Sequence, residues 1–265
     1  MTDHHTEPWY PTAAYLYVLH LDSPSLAWEY LRRNPDYRLD WLRCHRRQQA
    51  ARKAAQHWGL RLLEDPALDA RDAHPAWFPD HDGVLQLYPD ADPPPDAMAF
   101  ALWRLPGRKY LIHDGQRLIL VLRWPGGCLR FALAPGLADG MAFAYAIRVC
   151  TRLQALAAAL PTLQTLTCEV PAAVALARPT QSALQELHTL QALDATLEGA
   201  SLREIGEGLF GADAVSADWY SDGGLRSRVR RLVQRGSQLM RGGYRRLAQI
   251  PLLEKGRSAS GADRP

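Results

Sequence analysis

The chain is short of what marks a metal site, an exported protein or a membrane span. Its 265 residues include only four cysteines, Cys44, Cys128, Cys150 and Cys168, with no CxxC pair and no histidine at ligand spacing beside them. A structural zinc site is therefore not expected, and neither metal nor cofactor is called for. An even cysteine count permits disulfides. The opening MTDHHTEPWYPT, however, has neither the basic start nor the apolar core of an export signal. The expectation is a cytoplasmic, nucleoid-associated protein with reduced thiols. The adjacent His4 and His5 read as surface residues of a polar opening. The longest apolar-rich run, Gly136 to Leu160, carries Arg148, Arg152 and Gln154 near its middle, which speaks for a buried or amphipathic helix and against a membrane span. There is no Gly-rich phosphate loop, no HExxH and no GxSxG, so no enzyme is expected. His113 and Asp114 invite a catalytic dyad, but no nucleophile motif accompanies them and Asp114-Gly115 reads as a turn. No internal repeat is visible.

One absence is local and more telling. Between Gly223 and Ile250 there are eight arginines and no Asp or Glu. Leu225, Val229, Leu232, Val233, Leu239 and Met240 recur there at helical spacing, with Gly236 in the same sector. The opposite sector holds Ser227, Arg230, Arg231, Gln234 and Gln238, flanked by Arg226, Arg228 and Arg235. A charged outer face is commonly just solvated. Here the charge is of one sign, has no i,i+4 acid to neutralise it, and is almost all Arg, whose planar fork suits phosphate and base edges. Self-repulsion of this kind points to a polyanionic partner.

Net charge is only +3, but its distribution is uneven: Glu64 to Asp96 carries nine acids against the single Arg71. A local basic stripe suffices for nucleic-acid binding in a nearly neutral protein. With 47% hydrophobic residues and 19 prolines the composition is that of a globular protein of one large or two to three small domains.

Along the chain, Ala13 to Leu21 predicts a short first helix. Ser23-Pro24 predicts the start of SLAWEYLRR, with Ser23 as cap. Asn34-Pro35 stops it, and a second helix is expected from Asp36 to about Trp58, ended by Gly59. Trp28, Tyr30, Tyr37 and Trp41 are candidate partner-binding residues, because such aromatics anchor interfaces; a partner subunit or the chain's own next domain would serve equally. The basic face of the second helix, Arg43, Arg46, Arg47, Arg52 and Lys53, is either solvated or a second nucleic-acid contact. Residues 61–97, rich in Pro and Asp, read as an acidic linker. Its acids raise a carboxylate-pair or metal hypothesis, or competition within the chain for the basic helix. FALWRL, KYLIH, RLILVLRW and CLRFAL, separated by turn signals, predict an antiparallel meander of about four strands, covered by a helix over Asp139 to Leu160. Thr162 to Thr180 reads as a connector.

Gln181 to Glu198 is helical, with Leu184, Leu187, Leu190, Leu193 and Leu197 three and four apart and Gly199 closing it. Ser201-Leu202-Arg203-Glu204 is a capping box, so LREIGEGLF forms a short helix ended by Gly211. Gly206 and Gly208 permit a close helix crossing of the helix-turn-helix kind. The link from Gly211 to Asp222, about eleven residues, exceeds the usual three to four; Val215 and Trp219 within it are expected in the core, as an extra turn of helix.

GASLREIGEGLFG, SDGGLRSRVRRLVQRG and LMRGGYRRL closely resemble the C-terminal helix-turn-helix domain of proteobacterial regulators of integrative and conjugative elements, the FseA-like activators and QseM-like antiactivators. LPGRKYLIHDGQRLILVL resembles the β part of that domain, and AWEYLRRNPDYRLDW the small N-terminal domain of the FseA-like members. The resemblance implies a DNA-binding transcriptional regulator of excision or transfer of a mobile element, with protein–protein control; both domains in one chain favour an activator. The long link belongs to the family pattern.

The resulting expectation is an α+β chain: a small N-terminal helical unit (10–60), the acidic linker (61–97), a β meander with a covering helix (98–180), a C-terminal helix-turn-helix (181–250) and a disordered tail (251–265). Its expected partners are double-stranded DNA and a regulatory protein, with no membrane. Ser227, Arg230, Arg231 and Gln234 would face the major groove, and Arg226, Arg228, Arg235, Arg245, Ser201 and Arg203 would hold phosphates. The competing expectation is an adaptor or antiactivator that binds another regulator instead of DNA.

Overall fold

A computed structural model describes residue 9 and residues 11–44, 46, 48–78, 84–105, 107–113, 117–124, 127–146, 179–220 and 224–250. The tail from residue 251, the connector over 162–178 and the Asp114-Gly115 turn lie outside them. So does most of the expected covering helix.

The fold is α+β, with helices at both ends of the chain and a mostly antiparallel sheet between. Thr12–His20 forms a 3-10 helix rather than an α-helix, laid against the later helix α4 (Gln181–Leu197): Thr12 Oγ1 donates to Gln191 and the Tyr15 hydroxyl to Asp194. Helix α1, Ser23–Leu31, is capped not by Ser23 but by Asp22, whose carboxylate accepts from the Ser25 N–H at 3.0 Å. Aspartate caps as well as serine, and placing it one residue earlier leaves Ser23 and Pro24 inside the first turn.

The second helix is broken in two: α2 is Pro35–Cys44 and α3 is Gln48–Trp58. In a continuous helix Asp40 and Trp58 would lie about 27 Å apart. Instead the Trp58 indole donates to Asp40 at 3.0 Å, and its ring meets that of Tyr37 edge-on at 5.6 Å. Folding back buries Trp58 against Tyr37, which a straight helix would leave exposed.

Among the described residues the sheet has five strands in the order β2-β3-β4-β1-β5: β1 Val84–Pro89, β2 Arg108–His113, β3 Leu118–Trp124, β4 Gly127–Leu133 and β5 Phe143–Ala146. KYLIH, RLILVLRW and CLRFAL are strands as expected; FALWRL is not. Phe100 is tied by its N–H to Met141, and the Leu102 N–H donates to the Asp139 carboxylate, turning Leu102–Arg104 into a single 3-10 turn. Two further strands appear where none was expected. β1 lies inside the acidic segment and pairs parallel with β4, and β5 occupies the start of the expected covering helix and pairs antiparallel with β1. Alternation buries Leu85 and Leu87 of β1 with Leu120, Leu122, Phe131 and Leu133 on one face.

The other side of the sheet is joined to the N-terminal helices by polar contacts. Arg130, buried on β4, pairs with Asp22 at 2.5 Å, and Arg123 donates to the Ala70 and Arg71 carbonyls. Residues 59–78, after α3, are thus packed, with Ala70, Ala73 and Trp77 in the core, and are not a bare loop. Their acids bind locally, Glu64 accepting from the His74 N–H and Asp69 pairing with Arg71.

Trp28, Tyr30 and Tyr37 are fully buried and do not offer a partner surface; Trp41 is half-buried. Trp28, Tyr30 and Tyr37 lie in one core with Leu187, Leu190 and Leu193 of α4 and Met240, Tyr244, Ala248 and Ile250 from the end of the described chain. Of the two occupants open to them, the chain's own C-terminal part takes the place.

Candidate nucleic-acid interface

The basic stretch forms α7, Leu225–Gln238, after α5 (Leu202–Phe210) and α6 (Ala212–Asp218). Its apolar side, Leu225, Val229 and Leu232, is buried with Ala192 and Ala195 of α4, Ile205 of α5, and Val215 and Trp219. The last two lie in the core, as expected, and Ala212–Asp218 of the link forms the short helix α6. Gly206 is where α5 meets them: a Cβ there would stand 2.9 Å from the Trp219 ring. The capping box is present, with the Ser201 Oγ accepting from the Glu204 N–H and the Glu204 carboxylate accepting from the Ser201 N–H at 2.7 Å.

The arginines of this unit divide by what holds them. Arg226, Ser227, Arg230, Arg231 and Gln234 are exposed along α7, and no described carboxylate pairs with Arg226, Arg230 or Arg231. Arg228 is exposed too, its guanidinium 4.6 Å from the centre of the Phe210 ring. That stacking leaves the N–H edges free for a second ligand.

Four expected phosphate contacts meet other partners. Arg235 pairs with Glu186 of α4, a buried carboxylate that also accepts from the Tyr30 hydroxyl at 2.6 Å. Arg245 is buried at 8% exposure and donates to the His57 carbonyl. Gly242, at φ +148°, breaks the helix there, so α8 (Tyr244–Leu247) turns towards α3 and the Tyr244 hydroxyl donates to the Trp58 carbonyl. A φ of that size is open to glycine and strained for other residues. Ser201 is engaged in its cap, with the Glu204 carboxylate already at the helix N-terminus where a phosphate was expected, and Arg203 pairs with Glu207 at 3.0 Å.

Behind α7 runs a chain of buried charge. Arg33 donates to both oxygens of Asp194 on α4, at 2.5 and 2.8 Å, and pairs with the fully buried Glu29 at 2.5 Å. Burial alone would raise the Asp194 carboxyl, but the Arg33 guanidinium overrides it and holds it below the usual carboxylate range. Burial, followed by the Glu186 charge, pushes the Tyr30 hydroxyl far above its ordinary value, so it stays a donor. These groups clamp α1, α4 and α7 together.

On the facing wall of α7, α4 brings up Gln181, Leu184, Gln185 and His188. Gln185 and His188 were not singled out in the sequence, and Gln181 only as the start of its helix, because the polar positions of a leucine-rich helix carry no sign of what they face.

Among the described residues no helix is long and apolar enough to cross a membrane. Residues 8–62 match the family described as a proteobacterial transcriptional regulator-like domain. Residues 131–249 match the DNA-binding domain of a transcription factor of the type VI secretion system, and residues 82–129 match a domain of unknown function (DUF7011). Two named matches, one at each end, indicate a transcriptional regulator with a DNA-binding domain. No curated protein matches the chain.

Proposed function

We propose that the chain is a sequence-specific DNA-binding transcription factor that docks through a helix-turn-helix, with α5 as the supporting helix, α6 as an insertion and α7 as the reading helix. The observation that carries this is the division of arginines on α7: Arg235 is spent on the core, whereas Arg226, Arg230 and Arg231 keep a contiguous exposed face with no described acid to answer it. Holding like charges together has a cost that a polyanion relieves. No acid stands in the first turn of α7 and no side chain caps it, which suits a phosphate beside the helix start. Ser227, Arg230, Arg231 and Gln234 face the bases, and Arg226 and Arg228 the backbone.

The finer role follows from the resemblance to FseA-like regulators: an activator of excision or transfer of a mobile element. Selection of duplexes from a random library by the purified protein tests the DNA reading, and transcription from the selected site tests the sign. An adaptor role is less supported, since Trp28, Tyr30 and Tyr37 pack inside the chain.

A further inference from the structure

Helices α4 and α7 touch closely at Gly236, where a Cβ would lie 3.0 Å from the Leu193 Cβ and 3.2 Å from the Thr189 carbonyl. Beside that contact the two helices enclose an open groove of about 740 Å³. One wall is Gln181, Gln185 and His188 of α4; the other carries Arg228, Arg231 and Gln238 of α7. On each wall the outer residues lie seven or more positions apart, so both walls run for about 10 Å or more. Among the described residues no carboxylate lines the groove: Glu186, the nearest acid on α4, is turned into the core between Tyr30 and Arg235. Leu184 and Leu232 supply apolar surface between the polar walls. Cations on one side, neutral amides opposite and an apolar strip between match a sugar-phosphate strand, whose phosphates take the charge and whose sugars take the rest.

We propose that this groove seats the phosphodiester backbone flanking the base pairs that α7 reads, with Arg228 taking the phosphate while Arg231 and Gln234, which also line it, reach past to the bases, and that α4 forms a second wall of the DNA interface through Gln181 and Gln185. The proposal rests on the DNA-binding reading above and extends it to a helix outside the reading unit. Phosphates entering here fix the register of α7 without reading sequence.

The test is DNA binding by fluorescence anisotropy with the full chain and a duplex selected from a random library. Gln181 and Gln185 are exposed, so substitution there leaves folding intact, as circular dichroism checks. The double variant Gln181→Glu/Gln185→Glu loses about tenfold in affinity at low salt, while Gln185→Arg gains affinity and steepens the log–log salt slope by about 1. Both keep the parent's sequence preference. Unchanged affinity in both variants, with Arg230→Ala still impaired, overturns the groove proposal and leaves the DNA reading standing; a parent that selects no duplex overturns both. A free phosphodiester is distinguished with the dinucleotide TpT. Micromolar TpT binding that Gln185→Glu abolishes, without effect on duplex affinity, assigns the groove to a small nucleotide and overturns the proposal.

Discussion

The Tyr30 hydroxyl donates to the Glu186 carboxylate at 2.6 Å, a buried hydrogen bond between residues 156 positions apart. Through it the N-terminal helices grip α4 at the point where α4 holds Arg235 of α7. Tyr30→Phe removes a bond to a charged acceptor and leaves the ring in place. A loss of about 1.5–3 kcal/mol is expected, read as a lower urea midpoint with an unchanged m-value. A change below a few tenths of a kcal/mol would show that the N-terminal helices do not support the C-terminal unit.

Arg33 stands between the fully buried Glu29, which Arg32 also pairs, and Asp194, whose side chain is 24% exposed. Arg33→Met leaves both without their shared cation. Breaking such a pair from one side costs about 3–5 kcal/mol, so the variant should melt well below the parent. Glu29 and Asp194 have lowered folded values. Their stabilisation is therefore present above the ordinary carboxylate range and lost as pH falls below it. The parent's acid limb should flatten in Arg33→Met.

A second pH effect sits at the sheet. His74 lies 3.8 Å from the Tyr110 ring, facing Arg123 and Arg130 with Asp72 nearby. Burial and then those two guanidinium groups push it down to about 4. Because its folded value is below the unfolded one of about 6.5, the unfolded chain takes up the proton first as pH falls. Stability from His74 is complete above about 6.5 and declines towards about 4. Thermal melts should show this slope in the parent, and His74→Phe, which keeps a ring on Tyr110, should lose it. An unchanged slope in the variant would count against the burial of a neutral imidazole.

Gly206 marks the close approach of α5 to α6. Alanine there gains up to about 1 kcal/mol in helix propensity, but its Cβ meets the rigid Trp219 ring at 2.9 Å and Val215 at 3.3 Å. Overpacking of this kind costs about 1–3 kcal/mol, so Gly206→Ala should be destabilised on balance. A stabilised variant, in a urea titration, would mean that Trp219 moves freely.

The C-terminal helices were legible because their signals are local. The leucine spacing of α4, the Ser201–Glu204 capping box and Gly211 are each complete within a turn or two of chain. Strand β1 was hidden by its acidic, proline-rich surroundings, and its parallel pairing with β4 joins segments far apart in sequence. β5, FAYA, is four residues in an alanine-rich run that reads equally as helix. The site was legible in part. Arg226, Arg228, Arg230 and Arg231 follow from helical phase alone, whereas the fates of Arg235 and Arg245 depend on a carboxylate in α4 and a carbonyl in α3. Nothing local to those two arginines announces such partners. The N-terminal aromatics carried the same ambiguity: burial against a partner and burial against the chain's own end look alike in sequence.

The central claim is that the exposed arginines of α7 bind and read DNA. The most direct measurement is the salt dependence of affinity for a library-selected duplex, for the parent and for Arg230→Ala/Arg231→Ala. The parent should show a slope of roughly −2 to −3 in log affinity against log salt, for the two to three phosphates left to Arg226, Arg228 and the start of α7. The double variant should lose on the order of 1–3 kcal/mol per reading residue, together with its preference at the corresponding base pairs. Equal affinity and equal preference in parent and variant would contradict it.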